Sequence, residues 1–229
     1  MAKRVPLLGP VSRKIKHTLF AEPFHGSESY WIKRYASGGN SGVGSYNKLA
    51  AFKAEVLNDF VRQNNVRSVI EYGCGDGNQL KLAEYPFYTG FDVSPEALAL
   101  CDNLFHSDQT KSFKLTQEYG GERAELTLSL DVIFHLVEDE VFESYMQRLF
   151  GSSDRFVIIY SSNLDTDEAP DDPAPHVRHR KFSKWVESNL SGWSLVQHIP
   201  NKYPFRGDIN RGSAADFFIY EKADYTTKQ

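Results

Sequence analysis

The stretch Val69-Ile70-Glu71-Tyr72-Gly73-Cys74-Gly75-Asp76-Gly77-Asn78 decides the architecture. Residues 68–72 are apolar and β-prone and stop at Gly73, which reads as a buried strand. A glycine turn follows, then a helix-like run over 79–84 that Pro86 breaks. Glycine lets a backbone bend sharply and approach a ligand with no Cβ in the way. A helix starting there would offer free N–H groups to a carboxylate. Glycines at 73, 75 and 77 depart from the dinucleotide-binding spacing, whose third glycine falls where Asn78 stands. The next strand, 88–93, carries Asp92, and a carboxylate there can accept two hydrogen bonds from vicinal ribose hydroxyls. The plainer alternative is a tight turn, with Asp92 capping a helix.

Outward from this turn, strand and helix patterns alternate. Leu49, Phe52, Val56, Leu57, Phe60 and Val61 form one apolar stripe, predicting an amphipathic helix from Asn47. Ser94-Pro95 starts another helix, with a capping hydroxyl before a first-turn proline. Residues 125–135 read as a strand, 141–150 as a helix and 155–160 as a buried strand. After an acidic, then basic, loop over 163–180 comes a short helix over 182–190, which Ser183 can help to cap. Two closing strands, 193–199 and 216–221, have no helical pattern between them and are expected to pair antiparallel. The alternation implies right-handed crossovers and a mostly parallel α/β sheet. Residues 1–46 stand apart as an irregular segment. It holds a basic stretch (Arg13, Lys14, Lys16, His17), aromatics including Tyr30, Trp31 and Tyr35, and a Gly/Ser cluster over 37–45. That cluster suits either a linker or a mobile loop over a ligand.

Composition narrows the class. The 229 residues are 41% hydrophobic and 24% charged, enough apolar mass for a globular core. Twenty-six basic against thirty acidic side chains argue against a protein that binds by neutralising many phosphates, so no nucleic-acid partner is expected. Two cysteines, Cys74 and Cys101, point to a reducing, cytoplasmic setting rather than a disulfide framework. No run approaches the ~18 apolar residues that a membrane-spanning helix needs. No cysteine and histidine spacing resembles a zinc site, so no metal is expected.

The motif over 71–77, followed by Gly90-Phe91-Asp92-Val93-Ser94, resembles the first two motifs of the class I S-adenosylmethionine-dependent methyltransferases. The resemblance extends over residues ~47–221, because the order of elements is similar to that family's Rossmann-like seven-stranded sheet with helices on both faces. It implies a domain over 47–229, with 1–46 as a cap or lid, and S-adenosyl-L-methionine as cofactor. Carried over, Glu71 lies near the methionine part, Gly73, Gly75 and Gly77 pack beneath the cofactor, and Asp92 with Val93 takes the ribose. Leu128-Ser129-Leu130-Asp131-Val132-Ile133-Phe134-His135-Leu136 is similar to the family's motif after the fourth strand, bordering the methyl group. Asp108 falls where a polar residue often lies near the adenine.

On this reading His135 is a candidate general base, since an imidazole titrates near neutrality; packing below the site is the competing role. Asp131 orients the acceptor, steadies the loop or caps the next helix. His176, Arg178, His179 and Arg180 resemble a histidine-bearing stretch beside the acceptor pocket. Arginine's planar fork suits a carboxylate or phosphate, so an anionic acceptor, or an anionic group remote from its reacting atom, follows, unless the stretch pairs with Asp165, Asp167, Glu168, Asp171 and Asp172. Tyr30, Trp31, Tyr35 and Tyr46 either close over the cofactor with 38–44 as hinge, or pack on the core. The expected activity is methyl transfer to a small molecule at oxygen, with a sugar or glycan as one acceptor class. A non-catalytic cofactor-binding subunit and, less favoured by the glycine spacing, an NAD-dependent oxidoreductase are the alternatives. The oligomeric state is not legible.

Overall fold

The computed structural model describes residues 24–165 and 174–223. Strands β1 (Ser68–Tyr72), β2 (Phe87–Asp92), β3 (Lys111–Leu115), β4 (Ala124–Leu130), β5 (Ser153–Ser161), β6 (Trp193–Ile199) and β7 (Asp216–Lys222) form one sheet. Their order is β3-β2-β1-β4-β5-β7-β6. β1 to β5 run parallel, and β7 is inserted antiparallel between β5 and β6. The helices are α1 (Ser27–Ala36), α2 (Asn47–Gln63), α3 (Pro95–Phe105), α4 (Asp139–Gly151) and α5 (Phe182–Asn189).

The strand alternation sorts the core onto two faces. Val69, Leu126, Leu128 and Ile158 pack with Phe52, Leu57 and Val61 of α2 and with Leu98 and Cys101 of α3. Ile70, Tyr72, Val157 and Ile159 pack on the other face with Phe142, Met146 and Leu149 of α4 and with Phe182 and Val186 of α5. Each such side chain contributes roughly 1.5–3 kcal/mol on burial. Ser94 caps α3 as expected, its hydroxyl accepting from the Ala97 N–H at 3.3 Å, with Pro95 in the first turn. Successive strands on opposite sides of β1 make the β1/β4 boundary the switch point of the sheet, where a crevice opens at the carboxyl ends.

Four expectations are corrected here. Residues 27–36, read as part of an irregular segment, form helix α1. The run over 79–84 forms one 3₁₀ turn, Leu80–Leu82, and no helix follows the glycine turn. The few residues before β2 begins at Phe87 are too few to cross the sheet as a helix, and Pro86 stops any extension. An anion site at a helix N-terminus is therefore absent at this turn. β3 was not expected at all: it is an edge strand whose Ser112 and Lys114 dilute the apolar pattern. Ser183 does not cap α5; the Asn163 carboxamide bonds to its N–H (3.1 Å) and its hydroxyl (2.9 Å) instead.

Candidate cofactor and acceptor site

A cavity of about 920 Å³ opens at the carboxyl ends of β1, β2 and β4, near the upper end of the usual range for small-molecule sites. Its floor is the glycine turn. Gly75 sits at φ +58°, and a Cβ there would run into Ser41 Oγ and Tyr35 OH, so the residue must be glycine on both counts. Asp92, at the end of β2, is buried and lines the cavity. Its two oxygens accept from the N–H groups of Gly75 (2.9 Å) and Ser94 (3.0 Å), which leaves lone pairs on each. Burial raises its pKa, and those backbone donors oppose the rise. Glu71, also buried and lining the cavity, takes a 2.7 Å hydrogen bond from Tyr88 OH; burial pushes its pKa up to about 7.

The segment before α2 covers this floor. The Ser41 N–H donates to Asp76 Oδ2 at 3.0 Å, and the Asp76 N–H donates back to Ser41 Oγ at 3.1 Å. Tyr46 OH also donates to Asp76 Oδ2 (2.8 Å), and Asn78 Nδ2 donates to the Ser45 carbonyl (2.6 Å). Burial alone would raise the Asp76 pKa, but the donors Ser41, Asn78 and Tyr46 hold it below the ordinary value. Trp31 and Tyr35 of α1 line the same cavity.

The edge of β4 carries the polar groups. Asp131, directly after the strand, has φ +60°, a conformation that costs a non-glycine residue strain. Its Oδ2 is 2.7 Å from Lys53 Nζ. His135 sits in the next turn, its Nδ1 3.0 Å from the His176 carbonyl. A carbonyl only accepts, so Nδ1 carries the hydrogen and Nε2 keeps its lone pair. Burial lowers the His135 pKa to about 4, so the ring is neutral at pH 7.

No family model and no curated protein sequence matches the chain. Solved structures do. The N-methyltransferase NodS from Bradyrhizobium japonicum, in complex with S-adenosyl-L-homocysteine, is 13% identical with a TM-score of 0.66, over 86% of this chain and 98% of that one. The magnesium protoporphyrin IX methyltransferase from Synechocystis, with bound S-adenosylmethionine, is 15% identical with a TM-score of 0.57, over 95% and 100%. The methyltransferase domain of a bacterial Hen1 protein is 18% identical with a TM-score of 0.57, over 74% and 96%. This chain has the methyltransferase fold.

Within that fold, the structure brings Glu71, Gly73, Gly75, Asp92, Val93, Asp131 and His135 to one cavity. Gly77 stands outside it: a Cβ there would press on Cys101 Sγ and Phe105, so this glycine serves the contact with α3. Asp108 is also outside. It binds Thr110 and Lys111 at the amino end of β3, whereas the cavity lies at the carboxyl ends, where Thr116 lines it.

Arg178 and Arg180 do not line the cavity. Arg178 donates to the Val137 carbonyl (2.9 Å), Arg180 to the Leu136 and Val137 carbonyls, and both pair with Asp139. They fasten the loop before α5 to the β4–α4 connection. Asp167, Glu168, Asp171 and Asp172 lie outside the described residues, as do Arg13, Lys14, Lys16 and His17; Asp165 pairs with Lys184. His179 Nδ1 meets Ser162 Oγ at 2.6 Å. His176 stacks on Tyr30 with centroids 4.1 Å apart, beside rather than within the main cavity.

Lys53 was not singled out from the sequence, yet the signal exists. Leu49, Lys53 and Leu57 are spaced by four on α2 and all three are buried, so a lysine occupies the apolar face of the helix.

Proposed function

We propose that the chain is an S-adenosylmethionine-dependent methyltransferase acting on a small molecule, at oxygen, in the cytoplasm. One observation carries this reading. A roomy cavity lies over a glycine turn at the switch point of the sheet, with two buried carboxylates, Glu71 and Asp92, set at different strand ends. The donor set fits the cofactor. Asp92 keeps lone pairs for vicinal hydroxyls, Glu71 offers a carboxylate to an ammonium, and the glycines leave room for close backbone approach. Bound there, the cofactor supplies a methyl group already activated on a sulfonium.

The protein's own contribution is alignment, exclusion of water and removal of the acceptor's proton. The cover formed by α1 and residues 37–46 opens for entry and closes through Asp76. At the β4 edge His135 Nε2 and Asp131 are the groups that can take a proton. Trp31 beside these polar atoms suits a hydroxyl-bearing ring such as a sugar. Arg178 and Arg180 are engaged with carbonyls and Asp139, so an anionic acceptor gains no support from them.

Isothermal calorimetry tests the reading. S-adenosylhomocysteine should bind and NAD should not, and Asp92→Ala should weaken S-adenosylhomocysteine by about tenfold or more, the loss of roughly 1.4 kcal/mol. Binding of NAD alone, or an unchanged affinity in the variant, would reject it. Transfer of labelled methyl to alkali-stable ether products separates a working enzyme from a cofactor-binding subunit.

A further inference from the structure

Among the described residues Lys53 is the fully buried basic side chain, and it lines the cavity with its ammonium on Asp131. Stability does not account for this pair. Exchanging a buried ion pair for apolar residues of similar size is often neutral or stabilising, because desolvating both charges offsets their attraction. The pair is also asymmetric. Both residues line the cavity, but the Lys53 side chain is 1% exposed and that of Asp131 17%. Oδ2 faces the lysine, while Oδ1 has no hydrogen-bond partner among the described residues.

Two backbone features hold this arrangement. Asp131 is kept in a strained left-handed conformation, its N–H donating to the Tyr160 carbonyl at 2.8 Å. From above, the covering segment comes down on the carboxylate at Gly44, where a Cβ would stand 2.6 Å from Asp131 Oδ2. A lysine from below, a strained turn at the side and a glycine above thus converge on one carboxylate.

We propose that Lys53 and Asp131 act as a unit on the acceptor: Asp131 Oδ1 receives the proton of an acceptor hydroxyl, and Lys53 is the positioning residue that holds the carboxylate in place. The idea rests on the cofactor reading above and names the part of the cavity where the reacting oxygen sits. Ribose-side chemistry at β2 and the glycine turn at β1 leave the β4 edge, next along the sheet, for the reacting end. The acceptor's O–H bond breaks and an O–H bond forms on Asp131; the oxygen uses the electron pair it keeps to bond the methyl carbon, whose bond to the sulfonium sulfur would break with both electrons left on sulfur. The hydroxyl becomes strongly acidic as its oxygen gains a new bond, so even a weak base such as a carboxylate suffices late in the step. Asp131 then returns the proton to water.

The test needs no knowledge of the acceptor. Calorimetry compares three probes: S-adenosylhomocysteine, with nothing at the methyl position; sinefungin, with an amine there; and 5′-methylthioadenosine, which lacks the amino-acid end. The proteins are the wild type, Asp131→Asn, Lys53→Arg and the charge-neutral pair Lys53→Met with Asp131→Asn, which covers the case in which the single neutralised variant does not fold. Sinefungin should weaken by about tenfold or more in both proteins lacking the carboxylate, while the other two probes stay within about threefold. Lys53→Arg should restore sinefungin binding to within about threefold of wild type. Joint weakening of sinefungin and S-adenosylhomocysteine, with methylthioadenosine unchanged, would overturn the proposal by placing the pair at the amino-acid end. Three unchanged affinities would make the pair structural and overturn it as well. Failure of the wild type to bind S-adenosylhomocysteine would instead reject the cofactor reading itself.

Discussion

Replacing Lys53 by methionine removes a charge while nearly preserving the shape of the side chain, and the structure sets the size of the effect. At 2.7 Å and an effective dielectric near 20, the Lys53–Asp131 attraction is about 6 kcal/mol before desolvation is counted. In Lys53→Met the lysine's own desolvation cost disappears, but Asp131 keeps a carboxylate with only 17% of its side chain open to the cavity. Breaking a buried pair in this way costs about 3–5 kcal/mol. For a domain of this size that lowers the Tm by roughly 6–20 °C. Asp131→Asn should cost about the same, because the ammonium left behind is still more deeply buried.

Removing both charges should cost clearly less than the sum of the single changes, with a coupling of about 2–3 kcal/mol. Urea unfolding of the four proteins at pH 7 gives these values directly. Additive costs would show that the two side chains do not sense each other. A Lys53→Met protein as stable as wild type would show that the lysine reaches water. Either result would refute the buried pair on which the acceptor-side argument stands.

Asp76→Ala removes the acceptor of the Ser41 N–H and Tyr46 hydroxyl bonds, so amide exchange across 40–46 should quicken by about tenfold while β1 and β4 keep their protection. His135 and Glu71 should shape the pH dependence of stability in opposite senses. His135, held near pKa 4 against an ordinary 6.5, contributes stability that is complete above pH 6.5 and is lost as pH falls toward 4, at most about 3 kcal/mol. Glu71, raised from 4.5 to about 7, contributes stability present below pH 4.5 and lost as pH rises through 7. Unfolding measured from pH 4 to 8 should therefore lose its acid-side decline in His135→Gln and its neutral-side decline in Glu71→Gln. Arg180→Ala strips the bonds to the 136 and 137 carbonyls and should cost about 1–2 kcal/mol in urea unfolding without weakening S-adenosylhomocysteine binding by calorimetry.

The sheet was legible because its signals are local. The apolar stripe of α2, the Ser-Pro start of α3 and the glycine turn each declare themselves within a few residues, and together they fix the order of the elements. What escaped depends on distance or dilution. The edge strand β3 is short, and Ser112 and Lys114 interrupt its apolar pattern, so nothing local marks Asp108 as lying just before a strand. The arginines at 178 and 180 were recognised as a charge cluster, but their partner Asp139 lies some forty residues away in sequence, beyond the reach of any local pattern. Lys53 was hidden differently. Counting apolar positions defines a stripe, and the charged residue inside the stripe is the one such counting skips.

The absent helix after the glycine turn changes what holds the cavity floor in shape. A helix at that point would brace the turn and present its N–H groups. Here the bracing comes from outside the sheet, through the exchange between Asp76 and Ser41 and the bond from Tyr46. Asp76 is one position from Gly75, whose N–H is held by Asp92. Any displacement of the covering segment is thus transmitted, through two adjacent peptide groups, to the buried Asp92 carboxylate. The segment before α2 and the glycine turn are therefore joined by direct hydrogen bonds. A protein begun at Asn47 would keep every strand of the sheet and still lose the acceptors and donors that set the turn. Its affinity for S-adenosylhomocysteine should fall with that of Asp76→Ala, and an unchanged affinity would show that the floor stands without its cover.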